Sequence, residues 1–175
     1  MKKIIALLLV AIMSLSFVAC DSGSKNEYSV GDMVSTDCAQ LTLQSCEFAE
    51  TYNSIGMGDG KIFVILTFSI KNIGKTKLGY IKTIDGNKDS LMYSAIPCVD
   101  YNDGYLFSYD DMLGNLDLCS TDSVLSDLEP LSDAVTVEVA IAVPTEVEEQ
   151  ENNPLVIKMA VPTTKGTKVF SYKIR

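Results

Sequence analysis

Between Lys61 and Asn72 every second residue is large and apolar: Ile62, Val64, Leu66, Phe68 and Ile70 share one parity, and Thr67, Ser69 and Lys71 the other. In an extended chain successive side chains leave opposite faces, so this pattern describes a strand with one buried face. At ~3.3 Å per residue such a run is ~40 Å long, which predicts the centre of a half-buried antiparallel sheet. Asn72-Ile73-Gly74-Lys75 supplies the turn chemistry that ends it.

The rest of the chain follows the same rhythm. Ala134–Val143 places Val135, Val137, Val139 and Ile141 on one face and is stopped by Pro144. Ala39–Phe48, Leu155–Val161 and Val169–Ile174 are further predicted strands, and Asp85-Gly86 and Asp103-Gly104 are hairpin-type turns. No segment of ten or more residues carries a helical stripe, though residues 109–127 have room for one short helix. Many strands of modest length, no alternation with helices and frequent turn signals predict an all-β fold, an immunoglobulin-like antiparallel β-sandwich.

The N-terminus has a different character. Met1-Lys2-Lys3 leads into an apolar run from Ile4 to Met13, which closes on Phe17-Val18-Ala19-Cys20 and then Asp21-Ser22-Gly23-Ser24. The segment resembles a bacterial lipoprotein signal with its lipobox, where the cysteine thiol takes a diacylglycerol and becomes the first mature residue. Phe17 departs from the leucine usual at that place. The apolar run falls short of the ~20 residues that a membrane span needs. The expected organisation is residues 1–19 as signal peptide, 20–27 as lipidated Cys20 plus a small, polar tether, and 28–175 as the sandwich domain.

Tyr28-Ser-Val-Gly-Asp-Met, Gly60-Lys-Ile-Phe-Val-Ile-Leu-Thr-Phe-Ser-Ile-Lys-Asn-Ile-Gly-Lys, Cys98-Val-Asp-Tyr-Asn-Asp-Gly-Tyr and Leu128-Glu-Pro-Leu with Val137-Glu-Val-Ala-Ile-Ala-Val-Pro carry a second resemblance. Together they look like the immunoglobulin-like domains of Gram-positive surface lipoproteins, sometimes grouped with telokin-like immunoprotective extracellular proteins. The likeness covers residues 28–174. It implies an extracellular binding module and brings no catalytic residue with it. Two stretches depart from the pattern: Gly79–Ala95 is longer, and 108–127 is enlarged and carries a cysteine.

Composition narrows the function. The formal net charge is −9, and Lys2 and Lys3 lie in the signal, so the mature chain stands at −11. Nucleic acid would repel it, and no nucleic-acid partner is expected. Histidine is absent, which removes the usual proton shuttle and the commonest transition-metal ligand. Neither a cofactor nor a bound metal is expected. Besides Cys20, an even set remains, Cys38, Cys46, Cys98 and Cys119, and on an exported chain it suggests disulfides. On one extended strand Cys38 and Cys46 would lie ~26 Å apart, so the pairings left are 38–98 with 46–119, or 38–119 with 46–98. The alternative is four buried thiols.

Asp100-Tyr-Asn102-Asp103-Gly104 has the look of a calcium loop, but from Asp100 position 5 is Gly104 and position 12 is Asp111, so the ligand spacing fails and a tight turn is expected. The acids Asp110, Asp111, Asp117, Asp122, Asp127 and Glu129, and Glu146–Glu151, read as solvated loops. Tyr93, Tyr101, Tyr105 and Tyr109, with Asp110 and Asp111, form a candidate binding face, since loops on a rigid scaffold concentrate recognition. The expected function is a lipid-anchored, non-catalytic module outside the cytoplasm. It would be tied to the cell membrane through Cys20 and bind a protein or small ligand at the cell surface. A carboxylate-based hydrolase of envelope polymers, or a purely structural surface protein, are the alternatives. Cys20→Ala is expected to move the protein from the membrane fraction into the medium, or to leave it as precursor, on fractionation and immunoblotting. A mutant matured and membrane-held as before contradicts the lipoprotein reading.

Overall fold

The computed structural model describes residues 27–58, 60–78, 97–108 and 128–175. Among the described residues ten strands follow one another: β1 (Met33–Ser35), β2 (Ala39–Ala49), β3 (Thr51–Tyr52), β4 (Ile55–Gly56), β5 (Lys61–Asn72), β6 (Pro97–Tyr101), β7 (Tyr105–Ser108), β8 (Val135–Pro144), β9 (Leu155–Thr163) and β10 (Gly166–Lys173). One helical turn, α1 (Glu146–Glu149), interrupts them. They build two four-stranded antiparallel sheets, in the orders β1-β2-β5-β8 and β10-β9-β6-β7, plus the small hairpin β3-β4. The fold is an all-β antiparallel sandwich. With β5, β6, β8, β9 and β10 in the places of strands B, C, E, F and G, and β7 as C′, the strand order is that of an immunoglobulin-like sandwich.

The alternating run is the centre of the first sheet, as its pattern predicts. β5 pairs along its length with β2 on one side and β8 on the other. Ile62, Val64, Leu66, Phe68 and Ile70 are all buried and meet Val99, Leu155, Ile157, Met159, Val161, Phe170 and Tyr172 from the facing sheet in one core. On β2 the parity changes midway: a bulge between Leu43 and Ser45 shifts the register. Leu41 and Leu43 face inward before it, and Cys46, opposite Leu66, and Phe48 pack on the same core after it. A bulge's extra residue is what lets odd and even positions of one strand share a face.

The expectation of a half-buried sheet needs one amendment. Phe63 lies on the outer face of β5 yet is fully buried, with Ala140 and Ala142, beneath Tyr52. Tyr52 belongs to the two-residue hairpin β3-β4, whose turn residues Asn53 and Ser54 have φ of 49° and 66°. Two consecutive positive φ values make the turn twist with its strands, and the hairpin folds back as a lid over Phe63.

The sandwich has two distinct ends. At one, which holds α1, the β6–β7 hairpin lies beside the 150–153 loop and the C-terminal Arg175. At the other, Asn72 is wholly buried and donates both amide hydrogens, to the carbonyls of Thr76 and Leu128, each at 2.8 Å. Its Oδ1 accepts the Gly74 amide at 2.9 Å. Ile73 and Gly74 also donate to the Cys38 carbonyl. A side chain at Gly74 would meet the Cys38 Cα at 3.3 Å, which is why only glycine fits that approach comfortably. The sheets are stitched again by Thr36, whose hydroxyl donates to the Pro162 carbonyl at 2.6 Å. Tyr172 adds a tie across the core, its hydroxyl donating to the Asp32 carbonyl at 3.1 Å.

The disulfide expectation is corrected. Cys38, Cys46 and Cys98 form no disulfide, and Cys119 lies outside the described residues. The geometry explains it: Cys46 faces the core from the first sheet, whereas Cys98 takes the outward parity of β6, between buried Pro97 and Val99. Cys38 is held at the Asn72 end, before β2 begins. The core cysteine therefore acts as a small apolar side chain.

Truncation of a core leucine leaves a cavity, so Leu66→Ala is expected to lower stability by ~2–5 kcal/mol in denaturant titration. Asn72→Ala, which strips the partner from the Thr76 carbonyl, is expected to cost about 1–3 kcal/mol. An unchanged midpoint for either contradicts the packing described.

Candidate binding surface

The hairpin joining β6 to β7 is the most sharply defined loop of the second sheet. Tyr101 pairs with Tyr105 across it, leaving Asn102, Asp103 and Gly104 as the turn. Asn102 and Asp103 have φ of 49° and 52°, a conformation that Asn and Asp tolerate better than other residues with side chains. The Asn102 amide donates to the Pro154 carbonyl at 2.9 Å. The calcium-like sequence is thus a tight turn, and no group of three or more metal-binding side chains occurs among the described residues.

The two described tyrosines of the expected binding face have opposite fates. Tyr101 is a core residue, only 7% exposed. Its hydroxyl accepts from Asn153 Nδ2 at 2.7 Å and donates to Gln150 Oε1 at 3.1 Å, and Asn153 Nδ2 also reaches Gln150 Oε1 at 2.8 Å. A buried phenol needs partners for its oxygen, and this triad supplies them, so Tyr101 is removed from the candidate face. Tyr105 is 62% exposed, its ring 6.4 Å from that of Tyr101. Tyr93, Tyr109, Asp110 and Asp111 lie outside the described residues, as do Asp117, Asp122 and Asp127. Glu129 is described, and pairs with Lys77 at 2.5 Å.

Strand parity places a second group of residues next to Tyr105 that sequence reasoning did not select. Cys98 and Asp100 on β6 point away from the core, and register puts Ser108 and Leu106 beside them on β7 and Lys158 and Val156 on β9. Leu106 is 56% exposed; Val169, outward on β10, is 59% exposed. At the centre Lys158 Nζ lies 2.5 Å from Asp100 Oδ2, and that hydrogen bond holds the ammonium protonated above lysine's ordinary range. The other carboxylate oxygen, Oδ1, is buried and has no partner. An acceptor left without a donor carries a desolvation penalty that an incoming N–H would relieve. The outer face therefore joins two exposed apolar residues, Leu106 and Val169, to a half-satisfied carboxylate, while Tyr105, which shares the parity of Tyr101, is exposed at the edge of the sheet on its other side. Its signal in the sequence is faint, because each residue is an ordinary outward position of its strand.

Elsewhere one exposed acid is engaged locally. Asp37 accepts from the Thr164 amide at 3.0 Å and from its hydroxyl, and these bonds hold its carboxyl below the usual range. Glu146, Glu148 and Glu149 fill the single turn of α1, with Val147 alone turned into the core.

No protein-family model matches the chain, and no curated protein does. Among solved structures it is similar to an uncharacterized beta-sandwich protein from Clostridium difficile 630, at 21% identity and a TM-score of 0.56, over 86% of this chain and 94% of that one. It is also similar to a protein of Bacillus subtilis subsp. subtilis str. 168 described as a "putative lipoprotein (ycdA)", at 12% identity and a TM-score of 0.46, over 81% of this chain and 38% of that one. The first likeness is one of fold.

Burial pushes the Cys46 thiol up to about 12 from 9.0 and the Tyr172 phenol up to about 12 from 10.0. Both groups ionise in the unfolded chain before they do so in the folded one. Their contribution is complete below pH 9 and is lost as pH rises from 9 through 12. The urea midpoint is expected to fall between pH 8 and pH 10.5, and less steeply in Cys46→Ala. Equal midpoints at the two pH values contradict the burial of these groups.

Proposed function

We propose that the protein is a non-catalytic binding module held outside the cytoplasm by a lipid on Cys20, and that it engages a protein partner at the cell surface through the β6–β7 hairpin and the outer face beside it. The anchor reading is supported by the signal-like N-terminus. The immunoglobulin-like surface-lipoprotein resemblance is supported by the strand order of the two sheets.

The observation that carries the binding reading is the exposure of Tyr105 and Leu106 on adjacent positions of a short strand whose partner strand is anchored by the Tyr101 triad. A rigid, exposed aromatic ring brings large contact area at little conformational cost, and such residues dominate interface energetics. Support for a non-catalytic role comes from the sequence, which has no histidine and so lacks the usual proton shuttle.

A photo-crosslinking amino acid at position 105, in cells producing the full chain, is expected to give a discrete adduct. The same group at Thr136, on the outer face of the first sheet, is expected to give none. Tyr105→Ala with Leu106→Ser is expected to weaken capture of the crosslinked partner by about tenfold or more with an unchanged melting temperature. Equal adducts from both positions, or no adduct at 105, would overturn this reading.

A further inference from the structure

The turn that leads into β8 breaks two local rules at one residue. The Ser132 amide donates to the Glu129 carbonyl at 3.2 Å, closing a four-residue β-turn with Pro130 and Leu131 at its centre. The ring of Pro130 fixes a negative φ, and Leu131 follows with a φ of 64°. Those signs make a type II turn, whose third place suits glycine or asparagine, because a Cβ there crowds the neighbouring carbonyl. The same leucine is 87% exposed, more than any other large apolar side chain among the described residues. A solitary exposed leucine is ordinary. A solitary exposed leucine in a backbone conformation that leucine disfavours is not. Leu131 takes no place in the core in return, and glycine or asparagine would avoid both costs.

The turn is nevertheless firmly mounted. Leu128, buried at its base, exchanges both backbone hydrogen bonds with Leu78, at 2.7 and 3.0 Å. Its carbonyl also accepts from Asn72 Nδ2 at 2.8 Å. The other hydrogen of that amide group holds the 73–76 turn, which carries the exposed Ile73. The Lys77–Glu129 ion pair lies beside the Leu78–Leu128 bridge. A disfavoured conformation held by a rigid base is the arrangement expected of a residue set for contact. Its ordering is complete before a partner arrives, so that cost does not fall on binding.

We infer that Leu131 is the anchor of a second interaction site, inserting into an apolar pocket of a protein partner whose rim carries a cation for Asp133. Carboxylates decide between a protein and a bilayer. Glu129 and Asp133 stand two residues to either side of Leu131. Glu129 is matched by Lys77, whereas Asp133 has no ion pair among the described residues. The 109–127 segment, which rejoins the described chain at Leu128, carries five aspartates and no basic residue. To reach the hydrocarbon of an anionic membrane the leucine would have to bring its flanking carboxylates into the headgroups, and one side chain offers little apolar area to offset that. A folded partner can bury the leucine and leave the carboxylates at a polar rim. Leu131 lies at the Asn72 end and the β6–β7 hairpin at the α1 end, so this site is separate from the one proposed above and does not rest on it.

The test places a photo-crosslinking amino acid at position 129, whose exposed ion pair contributes little to stability, in cells producing the full chain. A discrete protein adduct is expected. Leu131→Asn is expected to cut its yield about fivefold or more, and Asp133→Lys to weaken it as well, while Leu131→Met retains it. Tyr105→Ala with Leu106→Ser is expected to leave it unchanged. In the purified protein Leu131→Asn is expected to keep or raise the melting temperature, because asparagine accepts a positive φ. A lower melting temperature shows that Leu131 serves the fold and overturns the inference. An adduct to phospholipid, an adduct indifferent to Leu131→Asn, or no adduct at all overturns it too. Loss of the adduct in the Tyr105 and Leu106 variant overturns the separateness of the site.

Discussion

The inward row of β5 is the constraint on which the rest of the molecule depends. Five apolar side chains of one parity, flanked by β2 and β8, are sealed by the residues of β6, β9 and β10. Burial of apolar surface is non-directional, so this core needs help to hold one geometry. That help is polar and local. Asn72 knots the chain where β5 ends, using both of its amide hydrogens and its oxygen. Tyr172 ties the last strand to the backbone of the opposite sheet. A fully satisfied polar group inside a core selects one arrangement, because every alternative leaves a donor or acceptor unpaired.

These ties also decide which surfaces are left for recognition. Tyr101 is drawn inward by Gln150 and Asn153, and its anchorage stiffens the hairpin that presents Tyr105 and Leu106 to solvent. Precision at that tip comes from the buried partner residue, not from the exposed ones. The unpaired oxygen of Asp100 lies on the adjoining outer face, where a β-sheet alone offers it no donor.

Alternation made the main strands legible before any coordinates. β5 runs over the predicted residues, β2 and β9 extend by one and two residues past their expected ends, and β10 begins three residues early. The Asp103-Gly104 turn was readable from turn chemistry. The bulge at Gln44 was not, since a parity change within a polar stretch leaves no mark in the pattern. Phe63 was hidden for a related reason: a single large apolar residue on an otherwise outward parity does not say what will fold over it. Of the candidate face, Tyr105 could be named, but the same argument named Tyr101, and two tyrosines four residues apart on a hairpin look alike until the core takes one. The cysteines misled because an even number on an export-like chain says nothing about the faces they occupy.

The sequence by itself determined the class of fold, the central strand and the turn at Asp103-Gly104, because period-two burial and turn propensity are local properties of the chain. It also determined the signal-like N-terminus and the absence of histidine, which are matters of composition. Only the tertiary structure decided that Asn72 is buried and satisfied, that three thiols stay apart and that Tyr101 and Tyr105 part company. Each of these depends on which distant residues meet, and a one-dimensional pattern of apolar and polar residues specifies the faces of a strand without specifying what those faces touch.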